Sequence, residues 1–202
     1  MAMGRALIQE ENYEEAIKYF KLSADQGNAE AQNYLGIMYD NGEGIEQNHE
    51  EAFKYYKLSA DQNFVEAQLN LALLYRDGNG VSKNSDEAVK YFGLSSDQGN
   101  DIAQFYLGMM YLSGDGISQN YEEAYKYFKI SSDKNNALAQ FCLGTMFRDG
   151  LGVSQNYEEA FNYFKLSADQ GNALAQCNLA SLYWDGKGVN QNLEEAAKYY
   201  KL

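Results

Sequence analysis

Residues 29–56 read AEAQNYLGIMYDNGEGIEQNHEEAFKYY, two helix signatures joined by a glycine-bearing loop. The first signature, Ala31-Gln32-x-x-Leu35-Gly36, returns with Gly or Ala in its last place from Ala67, Ala103, Ala139 and Ala175. The second, Asn48-x-Glu50-Glu51-Ala52, also begins at Asn12, Asn84, Asn120, Asn156 and Asn192, so its alanine recurs every 36 residues from Ala16 to Ala196. Glycine pairs close the unit at Gly42/Gly44, Gly78/Gly80, Gly114/Gly116, Gly150/Gly152 and Gly186/Gly188. Two boxes per period mean two helices per repeat, and self-similarity at this period is the mark of an α-solenoid.

Local chemistry supports that reading. Asn48 is placed to cap the amide three residues on, with Glu51 expected to reach back to it. The acidic pair that follows each asparagine lies where the helix dipole favours negative charge. Glu14 with Lys18, Glu50 with Lys54, Glu122 with Lys126 and Glu194 with Lys198 are spaced for helical ion pairs four residues apart. The helix ends at Gly27, Asn63, Gly99, Asn135 and Gly171, the residue types that best tolerate a left-handed backbone. A second helix is expected from about Asn28 to Asp40. Rolled out at about 100° per residue, its repeated positions Ala31, Gln32, Leu35, Gly36, Met38 and Tyr39 form a packing arc of about 160°. The Glu-Glu-Ala helix, apolar on nearly every side apart from Glu50, Lys54 and Lys57, is expected to be the more deeply buried of the two.

Composition narrows the function classes. The chain has 202 residues, 45% hydrophobic and 22% charged, with no proline and a net charge of -13. That content is enough to form a core, and no apolar run approaches the length of a membrane span, so no membrane insertion is expected. The acidity argues against nucleic acid, whose binding needs a basic stripe. Cys142 and Cys177 are too few for a disulfide framework, lie 35 residues apart and so fall out of register, and are expected to remain thiols. With no secretory leader pattern in the sequence, a cytoplasmic location is expected.

The residues resemble the Sel-one-like repeat family, relatives of the tetratricopeptide repeats. The match is Ala-x-Ala-Gln-x-x-Leu-Gly-x-x-Tyr at Ala29 to Tyr39, then Gly-x-Gly-Val/Ile, then Asn-Tyr-Glu-Glu-Ala-x-Lys-Tyr-Phe at Asn120 to Phe128. In family order the Ala-Gln helix opens each repeat. The chain then divides into an N-terminal half repeat at 1–27 and five repeats at 28–63, 64–99, 100–135, 136–171 and 172–202, the last with its final helix truncated. Such an ending is expected of a piece cut from a longer protein. The fold expected is an all-α, right-handed α-solenoid of antiparallel helix pairs. The resemblance implies a non-catalytic adaptor or scaffold that binds a protein or peptide partner on its concave face. An architectural spacer and an enzyme are the other classes.

Little in the sequence favours an enzyme. His49 is the lone histidine, so no Ser-His-acid group or multi-histidine metal site can be assembled. No glycine loop continues into a phosphate-binding motif, and Asp40 to Gly44 lacks the ligand spacing and closing glutamate of a calcium loop. No cofactor and no metal are expected. Function is instead expected on the freely varying arc of the Ala-Gln helix. Copy by copy that arc holds Glu30, Asn33 and Ile37; Glu66, Leu69, Leu73 and Arg76; Ile102, Phe105, Met109 and Leu112; Leu138, Phe141 and Arg148; and Leu174, Cys177 and Trp184. The partner-binding residues expected are Leu69, Leu73, Arg76, Phe105, Met109, Leu112, Phe141, Arg148 and Trp184, with the two arginines holding acidic groups of the partner. For Phe105 and Phe141 a core position fits the sequence as well as a groove position does.

Overall fold

The computed structural model describes residues 2–9 and 12–201, and among them every regular element is a helix. The chain divides into two compact units, residues 1–100 and 101–202. The first holds α1 (Ala2–Gln9), α2 (Tyr13–Asp25), α3 (Ala29–Asn41), α4 (His49–Ala60), α5 (Val65–Asp77) and α6 (Ser85–Asp97). The second holds α7 (Asp101–Ser113), α8 (Tyr121–Asp133), α9 (Ala137–Asp149), α10 (Tyr157–Ala168), α11 (Ala173–Asp185) and α12 (Leu193–Tyr199). Within each unit every helix packs against the helices next to it in sequence. The segment expected as a half repeat contains both α1 and α2.

Helix starts follow the asparagines. Asn48 Oδ1 accepts the amide of Glu51 at 3.1 Å, and Asn84, Asn120, Asn156 and Asn192 cap their helices in the same way. The glutamate does not reach back as the sequence suggests. The amide of Asn48 donates instead to Tyr39 O at 2.8 Å, and those of Asn84, Asn120, Asn156 and Asn192 donate to the residue at the same place in their own repeats. This bond folds the glycine loop onto the end of the Ala-Gln helix and leaves the glutamate available to lysine. The lysines therefore pair three residues back, Lys54 with Glu51 and Lys126 with Glu123 at 2.5 and 2.6 Å and Lys198 with Glu195, rather than four as the spacing suggested. These exposed pairs contribute little to stability.

The core is built on an aromatic ring set under a residue with a minimal side chain, repeated in every copy but the last, where Tyr200 is exposed. Phe20, Phe92, Phe128 and Phe164 are fully buried, and Tyr56 nearly so. A Cβ built on Gly108 would lie 2.6 Å from the Phe128 ring, and one on Gly36 2.5 Å from the Tyr56 ring. Around these rings pack the alanines and leucines of the Ala-Gln helices, such as Ala31, Leu35 and Met38. The Ala-Gln helices are the more deeply buried of the pair, contrary to the sequence expectation. Helix α5 buries Ala67, Gln68, Leu69, Leu71, Ala72 and Leu74, whereas α4 buries only Ala52, Tyr56, Ser59 and Ala60. Both kinds of helix pack against their sequence neighbours, but within each unit the Ala-Gln helices also meet one another, as Asn70 of α5 meets Asn33 of α3 and Arg148 of α9 meets Asn178 of α11. The Glu-Glu-Ala helix keeps Leu22, Leu58, Leu94, Ile130 and Leu166 exposed in its successive copies.

The glutamine of the Ala-Gln box is a buried clamp. Gln32 donates to Ala24 O and accepts from Gln62 at 2.7 Å, tying α2, α3 and the end of α4 together, and Gln68–Gln98 and Gln140–Gln170 repeat the side-chain bond. Ser59 adds a bond to Ala29 O at 2.7 Å, repeated by Ser95, Ser131 and Ser167. Such satisfied polar contacts keep the interior specific.

The glycine pairs divide their labour. Gly42, Gly78, Gly150 and Gly186 take the left-handed conformation that ends the Ala-Gln helix. The second glycine lies against the start of the preceding Glu-Glu-Ala helix, where a Cβ on Gly80 would overlap the carbonyl of His49 and one on Gly188 that of Tyr157. Gly27, also left-handed at φ +84°, has open space around it. Gly27→Ala should therefore cost only the left-handed backbone penalty of about 1–2 kcal/mol. Gly80→Ala should cost more than that, and Gly27→Asn should be nearly neutral because Asn63 and Asn135 already hold positive φ. Urea midpoints of the three variants check this, and equal losses at Gly27 and Gly80 would show that the close approach is not what the second glycine serves.

Candidate partner-binding face

The residues expected to bind a partner divide between the units, and the structure treats them unequally. In the first unit Leu69 is 8% exposed and packs into the interior, while Leu73 on the next turn is half-buried. In the second unit Phe105 is also 8% exposed, with its ring 5.9 Å from Phe128 in the core. Leu69 and Phe105 are thus corrected from surface anchors to packing residues. The register they share, Asn33, Leu69 and Phe105, turns toward a neighbouring helix, as the bond from Asn70 Nδ2 to Asn33 Oδ1 at 3.1 Å shows for α3 and α5. Phe141, in the same register, is half-buried against the Phe164 ring, 5.9 Å between centroids. Leu112 is half-buried beside the core around Phe128 and Leu143. Met109 at 37% and Trp184 at 56% exposure stand open to solvent.

The arginines are engaged within the chain. Arg76 Nε and Nη2 grip both oxygens of Asp77 at 2.6 and 2.7 Å, and Arg148 grips Asp149 in the same two-pronged way. The guanidinium beside each aspartate holds its carboxyl below the usual range. Arg148 also donates to Asn178 and lies 6.0 Å from the Phe164 ring centroid. An acidic group of a partner would meet these side chains already paired, because Asp follows Arg in both copies.

The first turn of the Ala-Gln helices falls on the freely varying arc but outside the set of expected partner-binding residues. There Ile102, Leu138 and Leu174 occupy one register on α7, α9 and α11, exposed by 44%, 51% and 62%. In α3 and α5 that register holds Glu30 and Glu66. Aligning the repeats on this column exposes the signal, a change from charged to apolar at a position the packing leaves free.

Other chemistry is sparse. His49 Nδ1 lies 2.7 Å from Asp40 Oδ1, joining the start of α4 to the end of α3. The Tyr56 phenol is pushed well above its ordinary range, by burial and then by the same Asp40 carboxylate. Among the described residues no group of three His, Cys, Asp or Glu side chains is arranged to hold a metal ion. No helix among them is long and apolar enough to cross a membrane.

A family model for the Sel1 repeat matches residues 2–28, 29–64, 65–100, 101–136, 137–172 and 173–202. The chain belongs to the Sel1 repeat family, and its fold is the all-α solenoid of these repeats. The family's members are generally protein-interaction scaffolds and typically non-catalytic. A solved Sel1 repeat protein from Oxalobacter formigenes is 32% identical over 99% of this chain and 82% of its own, with a TM-score of 0.91. A protective antigen of uropathogenic Escherichia coli is 34% identical over 92% of this chain, with a TM-score of 0.89, and the present chain spans 40% of its length. An immunity protein from Pseudomonas aeruginosa shares the fold at 20% identity and a TM-score of 0.62, over 97% of this chain and 78% of that one. No curated protein sequence matches the chain.

Both cysteines are free thiols. Cys142 lies half-buried with Sγ 3.9 Å from Met109 Sδ, and burial pushes its thiol up to about 12, whereas Cys177 is exposed. At pH 8 a thiol reagent should label Cys177 in the folded protein at least about tenfold faster than Cys142, whose thiolate fraction is on the order of 10⁻⁴. Unfolding without reductant should release two reactive thiols per chain. Equal native rates would contradict the placement of Cys142, and an absence of thiols would show a bridge.

Proposed function

We propose that this chain is a non-catalytic adaptor that holds a protein or peptide segment against the exposed side of its Ala-Gln helices. The observation that carries the reading is the column Ile102, Leu138 and Leu174, three large apolar side chains left open at one register on successive Ala-Gln helices of the second unit. Met109 and Trp184 add exposed apolar area on α7 and α11, and half-buried Leu112 and Phe141 lie beneath. Leu73, at the register of Met109, is half-buried on α5 in the first unit. Large apolar side chains grouped on an exposed surface favour a macromolecular contact. A helix or extended segment meeting them would anchor through apolar side chains, its specificity set by the polar rim. Family membership supports the same class of function. A cytoplasmic setting belongs to this reading and is supported by the two free thiols.

Two matched pairs of substitutions separate this face from the opposite one. Leu138→Glu with Leu174→Glu should weaken capture of the partner at least about tenfold, or 1.4 kcal/mol, while moving the thermal midpoint little. Ile130→Glu with Leu166→Glu places the same charges at exposed sites on α8 and α10 and should leave capture intact. If the second pair abolishes capture and the first does not, the partner binds the Glu-Glu-Ala helices and the proposal fails.

A further inference from the structure

The first unit contains a cavity that the apolar column does not explain. It measures about 410 Å³, lies between α3 and α5 with Phe64 of the preceding turn, and falls in the range of roughly 300–1,000 Å³ usual for ligand sites. Its apolar wall is Tyr34, Ile37, Phe64 and Leu69. Tyr34 is held rigid by stacking on Phe20, 4.9 Å between centroids with the planes 14° apart. Asn33, only 4% exposed, accepts from Asn70 Nδ2, which leaves Asn70 Oδ1 to accept from an occupant. Glu30 and Glu66 line the same cavity from the first turns of α3 and α5. Glu66 forms no ion pair with a lysine or arginine among the described residues.

We propose that this cavity receives the arginine side chain of a partner peptide. The requirements of the site are a cationic head for the Glu66 carboxylate, with Glu30 beside it, and hydrogen-bond donors for an amide oxygen. A flat surface to lie on aromatic and aliphatic walls is the third. A guanidinium meets all three: it has five donors in one plane, keeps its charge at every physiological pH, is weakly hydrated and stacks on aromatic faces. An ammonium group offers a compact, strongly hydrated charge with no face to stack. An anionic ligand is opposed by both glutamates and by a chain of net charge -13. The same register is apolar in the second unit, so the glutamates are a property of this cavity and not of the repeat.

The test uses the whole chain and N-acetyl-L-arginine N-methylamide as probe, followed by nuclear magnetic resonance. Saturable shifts are expected at the side-chain amides of Asn33 and Asn70, and the citrulline analogue, which keeps the shape without the charge, should bind at least tenfold more weakly. Glu30→Gln with Glu66→Gln should weaken the arginine probe at least tenfold. Glu122→Gln with Glu158→Gln, which removes the same charge from the second unit, should leave it unchanged. The unperturbed spectrum of each variant reports whether it is folded, and Glu66→Gln alone serves if the double variant is not. Equal binding of citrulline, undiminished binding by the Glu30/Glu66 variant, or equal loss in the Glu122/Glu158 variant would each overturn the proposal. The site goes beyond the adaptor reading and is probed by a single residue, so its failure would leave the apolar column of the second unit as it stands.

Discussion

The helices of this chain pack at distances that leave no room for a Cβ at chosen places. Where Gly36, Gly108 and Gly144 cross the rings of Tyr56, Phe128 and Phe164, a methyl group on the glycine would overlap the ring. Where Gly80 and Gly188 meet the first turn of the preceding Glu-Glu-Ala helix, a methyl group would overlap backbone. The first contact sets the spacing within a repeat, the second the spacing between repeats. Buried glutamines and serines then fix the register with directional bonds, which dispersion between rings alone does not supply. Because each contact is made with a neighbour only, the same solution serves at every period of 36 residues.

That economy decides where function can reside. Positions engaged in the contacts above vary little, with Gly or Ala beneath the ring and Phe or Tyr as the ring itself. The side chain at the second position of the Ala-Gln helix takes no part in those contacts, and it is there that the chain changes character, from Glu30 and Glu66 to Ile102, Leu138 and Leu174. One unit thereby presents carboxylates beside a cavity and the other presents aliphatic side chains to water. Arg76 and Arg148, which look like conspicuous binding groups in so acidic a chain, are neutralised by the aspartates that follow them. Charge along a sequence is therefore a poor guide to charge available at a surface.

The fold was legible because its signals are local and repeated. Asparagine caps, left-handed Gly and Asn at helix ends and the packing arc of Ala31, Leu35 and Met38 all follow from backbone geometry and periodicity. What escaped depended on the third dimension. Leu69 and Phe105 vary between copies and so read as surface, yet a neighbouring helix covers them, and variation there records pairwise fitting rather than exposure. The Glu-Glu-Ala helix, rich in tyrosine and leucine, read as the buried one, but Leu58 and Leu166 on it stay open. The glutamate of the capping box read as a reciprocal cap, and the tyrosine carbonyl at the end of the preceding helix had already taken the amide it would have bound. In each case the competing partner is distant in sequence.

The central claim is that the Ala-Gln helices form the working surface while the Glu-Glu-Ala helices serve as support. Hydroxyl-radical footprinting of the chain, alone and with its partner bound, tests this most directly, because Met109, Trp184, Leu138 and Leu174 on one side and Ile130 and Leu166 on the other are all exposed in the free chain. Loss of oxidation at Met109, Trp184, Leu138 and Leu174, with Ile130 and Leu166 oxidised as before, is the result expected. Protection of Ile130 and Leu166 with Met109 and Trp184 unchanged would contradict it.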